Sequence, residues 1–170
     1  MRGNETIVQP CPGKGNRRTF VVKSGETWYP GMIVQSDPAT NNPFANTLDN
    51  HTGLQTGKIY APGTDGAAAG APWIVTNDNL KMVGKLITDS YAAGEVASVY
   101  SPLPGDLLNL LIKNLSGTAD DHAAGEILLA DTGTGLFIAD TGSPFWKAAK
   151  LLEAITDPTT DTLAVCEWMF

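Results

Sequence analysis

Two Asp-Thr-Gly triplets are the residues of this chain that most suggest chemistry. They lie at Asp131 to Gly133 and at Asp140 to Gly142, nine residues apart. Two carboxylates within hydrogen-bonding distance can share one proton, so that one acts as a base while the other acts as an acid. Such a pair could hydrolyse a peptide bond, provided that the fold brings the two aspartates face to face.

The second triplet ends the segment Leu136-Phe137-Ile138-Ala139-Asp140-Thr141-Gly142-Ser143, which resembles the active-site strand and turn of pepsin-like and retroviral aspartic proteases. Two features disagree with that family. Both triplets lie on one short hairpin-like stretch instead of separate lobes, and Gly142 is the last glycine, so the downstream apolar-apolar-Gly segment is missing. We therefore interpret both triplets as tight turns, in which aspartate accepts backbone N–H groups and glycine supplies a positive φ.

Other groups of reactive side chains give weaker signals. Residues 120–126 contain two aspartates, a histidine and a glutamate, which together could bind a metal ion. A Gly-flanked turn of this kind is more often a solvated loop. His51 has no second ligand at metal-binding spacing. Lys14 stands in a Gly-Lys-Gly that lacks the phosphate-loop pattern, and no Gly-x-Ser-x-Gly occurs. We expect no catalytic residue, no metal and no cofactor, and hence a protein that is not an enzyme.

The aromatic and sulfur-containing residues favour structural roles. Four tryptophans that do not cluster in the sequence are expected as core anchors or interface contacts instead of a sugar-binding platform: Trp28, Trp73, Trp146 and Trp168. Cys11 and Cys166 are expected as two buried or idle thiols, and a disulfide between them stays open.

Composition indicates a β-rich fold. Charged residues make up 17% of the 170 residues, below the roughly 25% of an average soluble protein, while 18 glycines and 11 prolines favour many turns and short strands. No run approaches the roughly 18 apolar residues of a membrane span, and no apolar export signal opens the chain. We expect a soluble, mainly β, compact barrel or sandwich of short antiparallel strands with one or two short helices.

The charges divide the chain into a basic leader and an acidic body. Residues 1–24 hold five basic side chains and one acidic side chain, a net +4, whereas the other 146 residues hold 6 basic and 17 acidic side chains, a net −11. Such a body is repelled by nucleic acid and by anionic lipid, so we expect neither as a partner. We predict a flexible basic arm over residues 1–18 and a single β-rich domain over residues 19–170.

The local pattern predicts a series of short strands. They cover Thr19–Lys23, Met32–Val34, Lys58–Ala61, Pro72–Thr76, Val83–Thr88, Val96–Tyr100, the run from Leu107, Ile127–Leu129 and Thr162–Met169. The run from Leu107 would also suit a helix capped by Asp106, although a strand is favoured. Ser143-Pro144 predicts a short helix through Lys147 to Ile155; a hairpin of 150–156 with 162–169 is the alternative.

One turn sequence occurs twice. Ala92-Ala93-Gly94-Glu95 separates two apolar runs, and Ala123-Ala124-Gly125-Glu126 recurs 31 residues later, again before an apolar run. The repeated unit is therefore a turn followed by a strand. Residues 35–57, rich in Asn, Asp, Thr and Pro, are predicted as one long loop, and a loop of that length is usually functional or disordered.

The meander over residues 83–100, Val-Gly-Lys-Leu-Ile-Thr-Asp-Ser-Tyr-Ala-Ala-Gly-Glu-Val-Ala-Ser-Val-Tyr, resembles the core of the lambda-type head decoration (capsid cement) proteins of tailed phages. The resemblance implies a β-rich, barrel-like fold and homotrimers at the three-fold and quasi-three-fold sites of an expanded capsid. It also implies an N-terminal arm that adds a strand to the major capsid protein, and a place on the virion surface after assembly in the host cytoplasm.

From these observations we expect a structural virion protein that binds and stabilises the outside of a phage capsid. The residues expected to contact acidic loops of the major capsid protein are Arg2, Lys14, Arg17 and Arg18. The alternative is another virion component, such as a tail, fibre or receptor- and glycan-binding module, in which the 35–57 loop faces a ligand.

Overall fold

The computed structural model describes residues 7–9, 15–37, 55–61, 71–77, 89–114, 121–131, 133–140, 142, 147–156 and 158–169. Every regular element in these ranges is a β-strand. The strands are β1 (Ile7–Gln9), β2 (Arg17–Val22), β3 (Ile33–Ser36), β4 (Gln55–Ile59), β5 (Trp73–Val75), β6 (Val96–Tyr100), β7 (Leu107–Ile112), β8 (Ile127–Ala130), β9 (Phe137–Ala139), β10 (Lys147–Leu151) and β11 (Thr162–Trp168). The mainly β fold expected from the composition is confirmed.

The first half of the chain forms a closed barrel with the strand order β2-β4-β3-β5-β6. Its strands are rich in β-branched and aromatic residues, which fit a pleated, half-buried surface. β2 pairs antiparallel with β6, with Phe20 opposite Ala97, and pairs in parallel with β4. The other pairs are antiparallel. A closed barrel leaves none of its five strands as an open edge.

The second half forms a six-stranded sheet with the order β1-β7-β11-β10-β8-β9. β7 and β11 make its longest pairing, six residues from Thr162 opposite Ile112 to Glu167 opposite Leu107. β9 returns to β7 through a parallel pairing of Ile112 with Phe137, so the sheet closes on itself at that corner. β1 occupies the other end of the same β7 edge.

Two hydrophobic clusters hold these sheets together. One lies in the barrel and includes Phe20, Trp28 and Trp73. The other is built around Leu108, Phe137 and Trp168, and it also contains barrel residues, among them Ile33, Tyr60, Ile74 and Tyr100. Because the second cluster draws side chains from both sheets, the barrel and the sheet share a core.

The helix expected over Lys147 to Ile155 is wrong. Lys147–Leu151 is the strand β10, which pairs with β8 on one side and with β11 on the other. The alanine- and leucine-rich run fits both a helix face and a strand, and the two neighbouring strands decide between them. The alternative hairpin is correct in part, since Lys150 lies opposite Glu167 and Leu151 opposite Cys166.

Other boundaries differ by a few residues. The loop expected over 35–57 is shorter, because β3 continues to Ser36 and β4 begins at Gln55; residues 38–54 lie outside the described residues. The run from Leu107 is a strand, as favoured, and β6 has the predicted bounds. The expected strand Val83–Thr88 lies outside the described residues. No helix in the described ranges has the length and apolarity that a membrane crossing requires.

Candidate functional site

The N-terminal segment, expected as a free arm, is partly built into the fold. Ile7–Gln9 forms β1 and pairs antiparallel with β7, with Ile7 opposite Leu108 and a register shift before Gln9. Arg17 begins β2, two residues before the predicted start of that strand. The boundary placed after residue 18 therefore cuts through a barrel strand, and β1 has a partner within its own chain.

Two of the four expected contact residues can be located. Arg17 and Arg18 are the first residues of β2, and both side chains are exposed. Arg2 and Lys14 lie outside the described residues. The two arginines are neighbours on a strand, so their side chains point to opposite faces of the sheet. Charge on this segment is therefore presented in two directions instead of as one patch.

The surroundings of the two arginines agree with this division. The Arg18 guanidinium lies 5.4 Å from the ring centroid of Trp73, a cation–π distance. Trp73 belongs to the barrel cluster, and its ring packs edge-on against Phe20, with the ring centroids 5.5 Å apart. Arg17 lies opposite Tyr100, which belongs to the shared cluster. Arg18 therefore packs on a buried aromatic ring, and Arg17 is paired through its backbone strand with a residue of the shared cluster.

A buried polar group anchors the N-terminal segment just before these arginines. The Tyr100 hydroxyl donates a hydrogen bond of 2.5 Å to Oδ2 of Asp106 and accepts one of 3.2 Å from the Gly15 N–H. Asp106 is fully buried and also accepts the Leu103 N–H at 2.8 Å. Asn16 continues the attachment, since its carbonyl accepts the Ser101 N–H. The segment is thereby tied to the link between barrel and sheet.

Ionisation of Tyr100 is strongly disfavoured in this environment. Burial, followed by the hydrogen bond to and the negative charge of Asp106, raises the pKa of Tyr100 to about 12. From the sequence, Asp106 was a possible cap of a helix that would begin at Leu107, and no side-chain partner was indicated for it. The partner six residues upstream could not be identified from spacing, because Tyr100 ends one strand and Asp106 precedes the next.

The same turn introduces three strands. Residues 92–95, 103–106 and 123–126 each form a four-residue turn, closed by an N–H from the acidic fourth residue to the carbonyl of the first at 3.0, 3.0 and 3.2 Å. The third residue is a glycine with φ between 82° and 93°, a conformation that glycine adopts at little cost. The repetition noted for Ala-Ala-Gly-Glu therefore extends to Leu103-Pro104-Gly105-Asp106.

Each of these turns attaches to a strand end in the same way. The glycine N–H donates to the carbonyl of one residue on the neighbouring strand, and the N–H of that residue donates to the carbonyl of the acidic residue, at 2.7 to 2.9 Å. The three receiving residues are Val22, Trp168 and Leu151. The carboxylates of the acidic residues have different partners. The Glu95 carboxylate accepts the Ala92 N–H, and the Asp106 carboxylate accepts the Tyr100 hydroxyl.

The two Asp-Thr-Gly aspartates are not brought together. β8 and β9 form the expected hairpin, in which Ala130 lies opposite Phe137 and the Asp140 N–H donates to the Ile127 carbonyl, so Asp131 and Asp140 lie at opposite ends. The Asp140 carboxylate accepts the Gly142 N–H at 2.9 Å. This is the turn geometry expected from the sequence, and it provides no shared-proton pair.

Asp131 is held by a lysine and a threonine. Its Oδ2 accepts Lys113 Nζ at 2.7 Å and the Thr134 hydroxyl at 2.6 Å. Burial alone would raise the pKa of Asp131, but these two hydrogen bonds and the lysine charge outweigh it, and the pKa lies below its usual value.

His122 was expected in a solvated turn, and that expectation is wrong. Its side chain is buried, Nδ1 lies 2.9 Å from Oε2 of Glu126, and its backbone exchanges two hydrogen bonds with Ile155. The described residues contain no group of three metal-ligating side chains. The two backbone hydrogen bonds join the turn before β8 to the segment after β10, and the imidazole–carboxylate contact lies within that turn. Asp120 and His51 lie outside the described residues.

The tryptophans and the described cysteine are core residues. Trp28, Trp73 and Trp168 are buried, as expected, and Trp146 lies outside the described residues. Cys166 is a buried free thiol, and burial raises its pKa well above the ordinary range. Cys11 lies outside the described residues. The ligand-facing loop of the alternative function lies largely within 38–54, so that alternative stays a prediction.

Comparison with known proteins identifies no family for this chain. No family model matches this chain, and no curated protein matches it in sequence.

Proposed function

We propose that this chain is a structural virion protein that binds the outer surface of an expanded phage capsid and stabilises it, as a trimer at three-fold and quasi-three-fold sites. The sequence resemblance over residues 83–100 is one support, and its described part, Asp89 to Tyr100, contains the attached Ala-Ala-Gly-Glu turn followed by β6. The partners in this proposal are the major capsid protein and further copies of the chain.

The observation that carries the proposal is the exposed basic start of β2. Arg17 and Arg18 are solvent-exposed, yet the strand that presents them is fixed by a closed barrel and by the Gly15 attachment to Tyr100. An arginine on a fixed strand loses less conformational freedom on binding than one on a free arm. The body behind it carries a net −11, so these cations are the groups suited to acidic loops of a shell protein.

The described acidic side chains support a structural role. Asp37 is fully buried and paired with Lys23 Nζ at 2.9 Å and Lys58 Nζ at 3.4 Å. The hydrogen bond from Lys23 to Asp37, followed by the charge of Asp37, raises the pKa of Lys23. Asp106 likewise accepts a hydrogen bond from Tyr100, and Asp131 accepts one from Lys113. These carboxylates hold turns and strands in place.

Main-chain pairing is the second part of the proposed mechanism. Among the described strands, β1 lies at the end of the strand order of its sheet and pairs with β7. An edge strand can accept another strand along its open side, and backbone hydrogen bonds then provide affinity. We propose that a segment of the major capsid protein adds beside β1. Modest contacts of this kind, repeated over many sites of a shell, together resist internal pressure.

The test is co-sedimentation of the purified chain with expanded and unexpanded heads built from its cognate major capsid protein. The expected result is saturable binding to expanded heads alone. Arg17→Gln and Arg18→Gln should each weaken binding about tenfold, because a charged interfacial contact is lost. Lys147→Gln removes a cation of β10 that is 52% exposed, together with its 3.6 Å ion pair to Asp140, and serves as the control for the loss of one positive charge elsewhere.

The same assay separates the two parts of the mechanism. Deleting residues 1–9 removes β1 together with Arg2 and leaves the Gly15 attachment and the barrel intact, so the shortened chain should stay folded and lose head binding. Arg2→Gln in the full chain measures the part of the loss that is due to the charge alone. Thermal unfolding checks the fold of every variant. Equal binding by the arginine variants and by Lys147→Gln would show that the basic start of β2 is not the contact.

A further inference from the structure

The outward face of the second sheet departs from the usual pattern. In β11 the residues Ala164, Cys166 and Trp168 are buried, so Leu163, Val165 and Glu167 point to the other side. An antiparallel sheet with one solvated face normally carries polar residues there. Here the outward residues of β11 are mostly apolar, and Met169, which continues the strand, is 42% exposed. This face is therefore suited to contact with another surface.

The barrel covers only one end of that face. A Cβ built on Gly31 would lie 2.7 Å from Leu163 Cδ2, so the turn before β3 lies directly on Leu163. Leu111, opposite Leu163, packs against the barrel cluster. The other end stays open, and we name it the β10–β11 patch: Lys150, Leu152, Val165, Glu167 and Met169. Leu152 is 40% exposed.

Two opposite charges stand at the centre of this patch. Lys150 and Glu167 are directly opposed residues of β10 and β11, so both lie on the same face. Despite this position, the two side chains make no ion pair or hydrogen bond with each other or with any other residue that the structure describes. Both charges are thus available to a partner, and each is bordered by apolar side chains.

This arrangement is complementary to itself. When two copies pack face to face about a two-fold axis that runs along the strands between β10 and β11, Lys150 of one copy meets Glu167 of the partner subunit, and the reverse contact forms as well. The same rotation brings Leu152 over Val165 of the partner subunit. Sheets packed in this way lie about 10 Å apart and interdigitate their side chains.

We propose that the β10–β11 patch is a contact between two copies of this chain, with two Lys150–Glu167 ion pairs inside an apolar border. The contact stands on these observations alone; because it is two-fold, it differs from the contacts within a three-fold trimer, and on a capsid it would join copies from two adjacent trimers. The net −7 of the chain opposes association at long range, whereas the patch itself is neutral, so the contact depends on the local match.

Charge reversal tests the contact in the full chain. Sedimentation velocity over a range of concentrations measures self-association of the wild type, Lys150→Glu and Glu167→Lys. Each reversal places like charges opposite each other at both symmetric positions and should weaken association at least about tenfold. An equimolar mixture of the two variants should recover it, because every contact between unlike variants again joins a positive and a negative side chain.

The controls separate this contact from other causes. Lys147→Glu makes the same change in charge on the same strand at a residue outside the five patch residues, and it should associate as the wild type does. It also removes the ion pair of Lys147 with Asp140, so its fold is checked first. Thermal unfolding identifies any variant that fails to fold. A wild type that is monomeric at every concentration would overturn the contact. Reversal variants that associate as strongly as the wild type, or an equimolar mixture that associates no better than either variant alone, would overturn it as well. Head binding is measured separately, so failure here leaves the capsid proposal standing.

Discussion

Removing the Tyr100 hydroxyl tests the attachment of the N-terminal segment. Tyr100→Phe keeps the ring in the shared cluster but removes the hydroxyl donor of fully buried Asp106 and the hydroxyl acceptor of the Gly15 N–H. A buried polar group that loses its partner costs about 1–3 kcal/mol, with the upper part of that range expected for a charged acceptor. For a chain of this size we expect a fall in Tm of roughly 4 to 10 °C.

The same variant has a distinct pH dependence. The pKa of Tyr100 is about 12 in the folded chain, against 10.0 for an ordinary tyrosine such as that of the unfolded chain, so ionisation favours unfolding. The contribution of this group is fully present below pH 10 and is lost as the pH rises from 10 to 12. Two pKa units correspond to at most about 3 kcal/mol. Tyr100→Phe has no such group, so the gap between wild type and variant should close over that interval.

Urea unfolding at a series of pH values from 8 to about 12 measures both effects. Tyr29→Phe is the matched control, because its ring is 44% exposed, and its stability should stay within about 0.5 kcal/mol of wild type. Burial also raises the pKa of Tyr60, but that group is present in all three proteins. A constant gap between wild type and Tyr100→Phe up to pH 12 would refute the assignment of Tyr100 as a neutral, buried donor.

Two further predictions concern close packing and the buried thiol. Gly31→Ala should destabilise the chain by about 2 kcal/mol or more, because φ is +91° and the new Cβ would lie 2.7 Å from Leu163 Cδ2. The control Gly94→Ala, with φ +82° and open space around the new Cβ, should cost about 1 kcal/mol. Equal losses of unfolding free energy for the two variants in urea would contradict the packing argument. In a Cys11→Ser background, Cys166 should not react with a thiol reagent at pH 8 until the chain unfolds, because burial disfavours its thiolate; rapid labelling of the native chain would contradict its burial.

Local patterns predicted the strands well where alternation or turn residues were clear. The alternation over Thr162 to Met169 predicted β11, and the paired Ala-Ala-Gly-Glu turns predicted the starts of β6 and β8. Such signals are local, since a glycine at positive φ and a period of two are properties of a few consecutive residues. The tight-turn interpretation of Asp140 was correct for the same reason.

Contacts between distant residues were beyond this kind of inference. His122 lies in a polar, Gly-flanked stretch, and its burial accompanies a backbone bridge to Ile155, 33 residues away, which no local pattern indicates. The run at Lys147 satisfied a helix pattern as well as a strand pattern, and the neighbours β8 and β11 determined the outcome. The pairing of β1 with β7 joins segments about 100 residues apart, and no periodicity in a polar, Gly- and Pro-rich leader indicates it.

Capsid stabilisation is the central claim, and survival of expanded heads tests it most directly. Expanded heads lacking the protein are incubated with wild type or with the chain lacking residues 1–9, then heated, and intact heads are counted by electron microscopy. We expect wild-type protein to raise the temperature at which half of the heads rupture, and the shortened chain to leave that temperature unchanged. Heads that rupture at the same temperature with and without bound wild-type protein would contradict it.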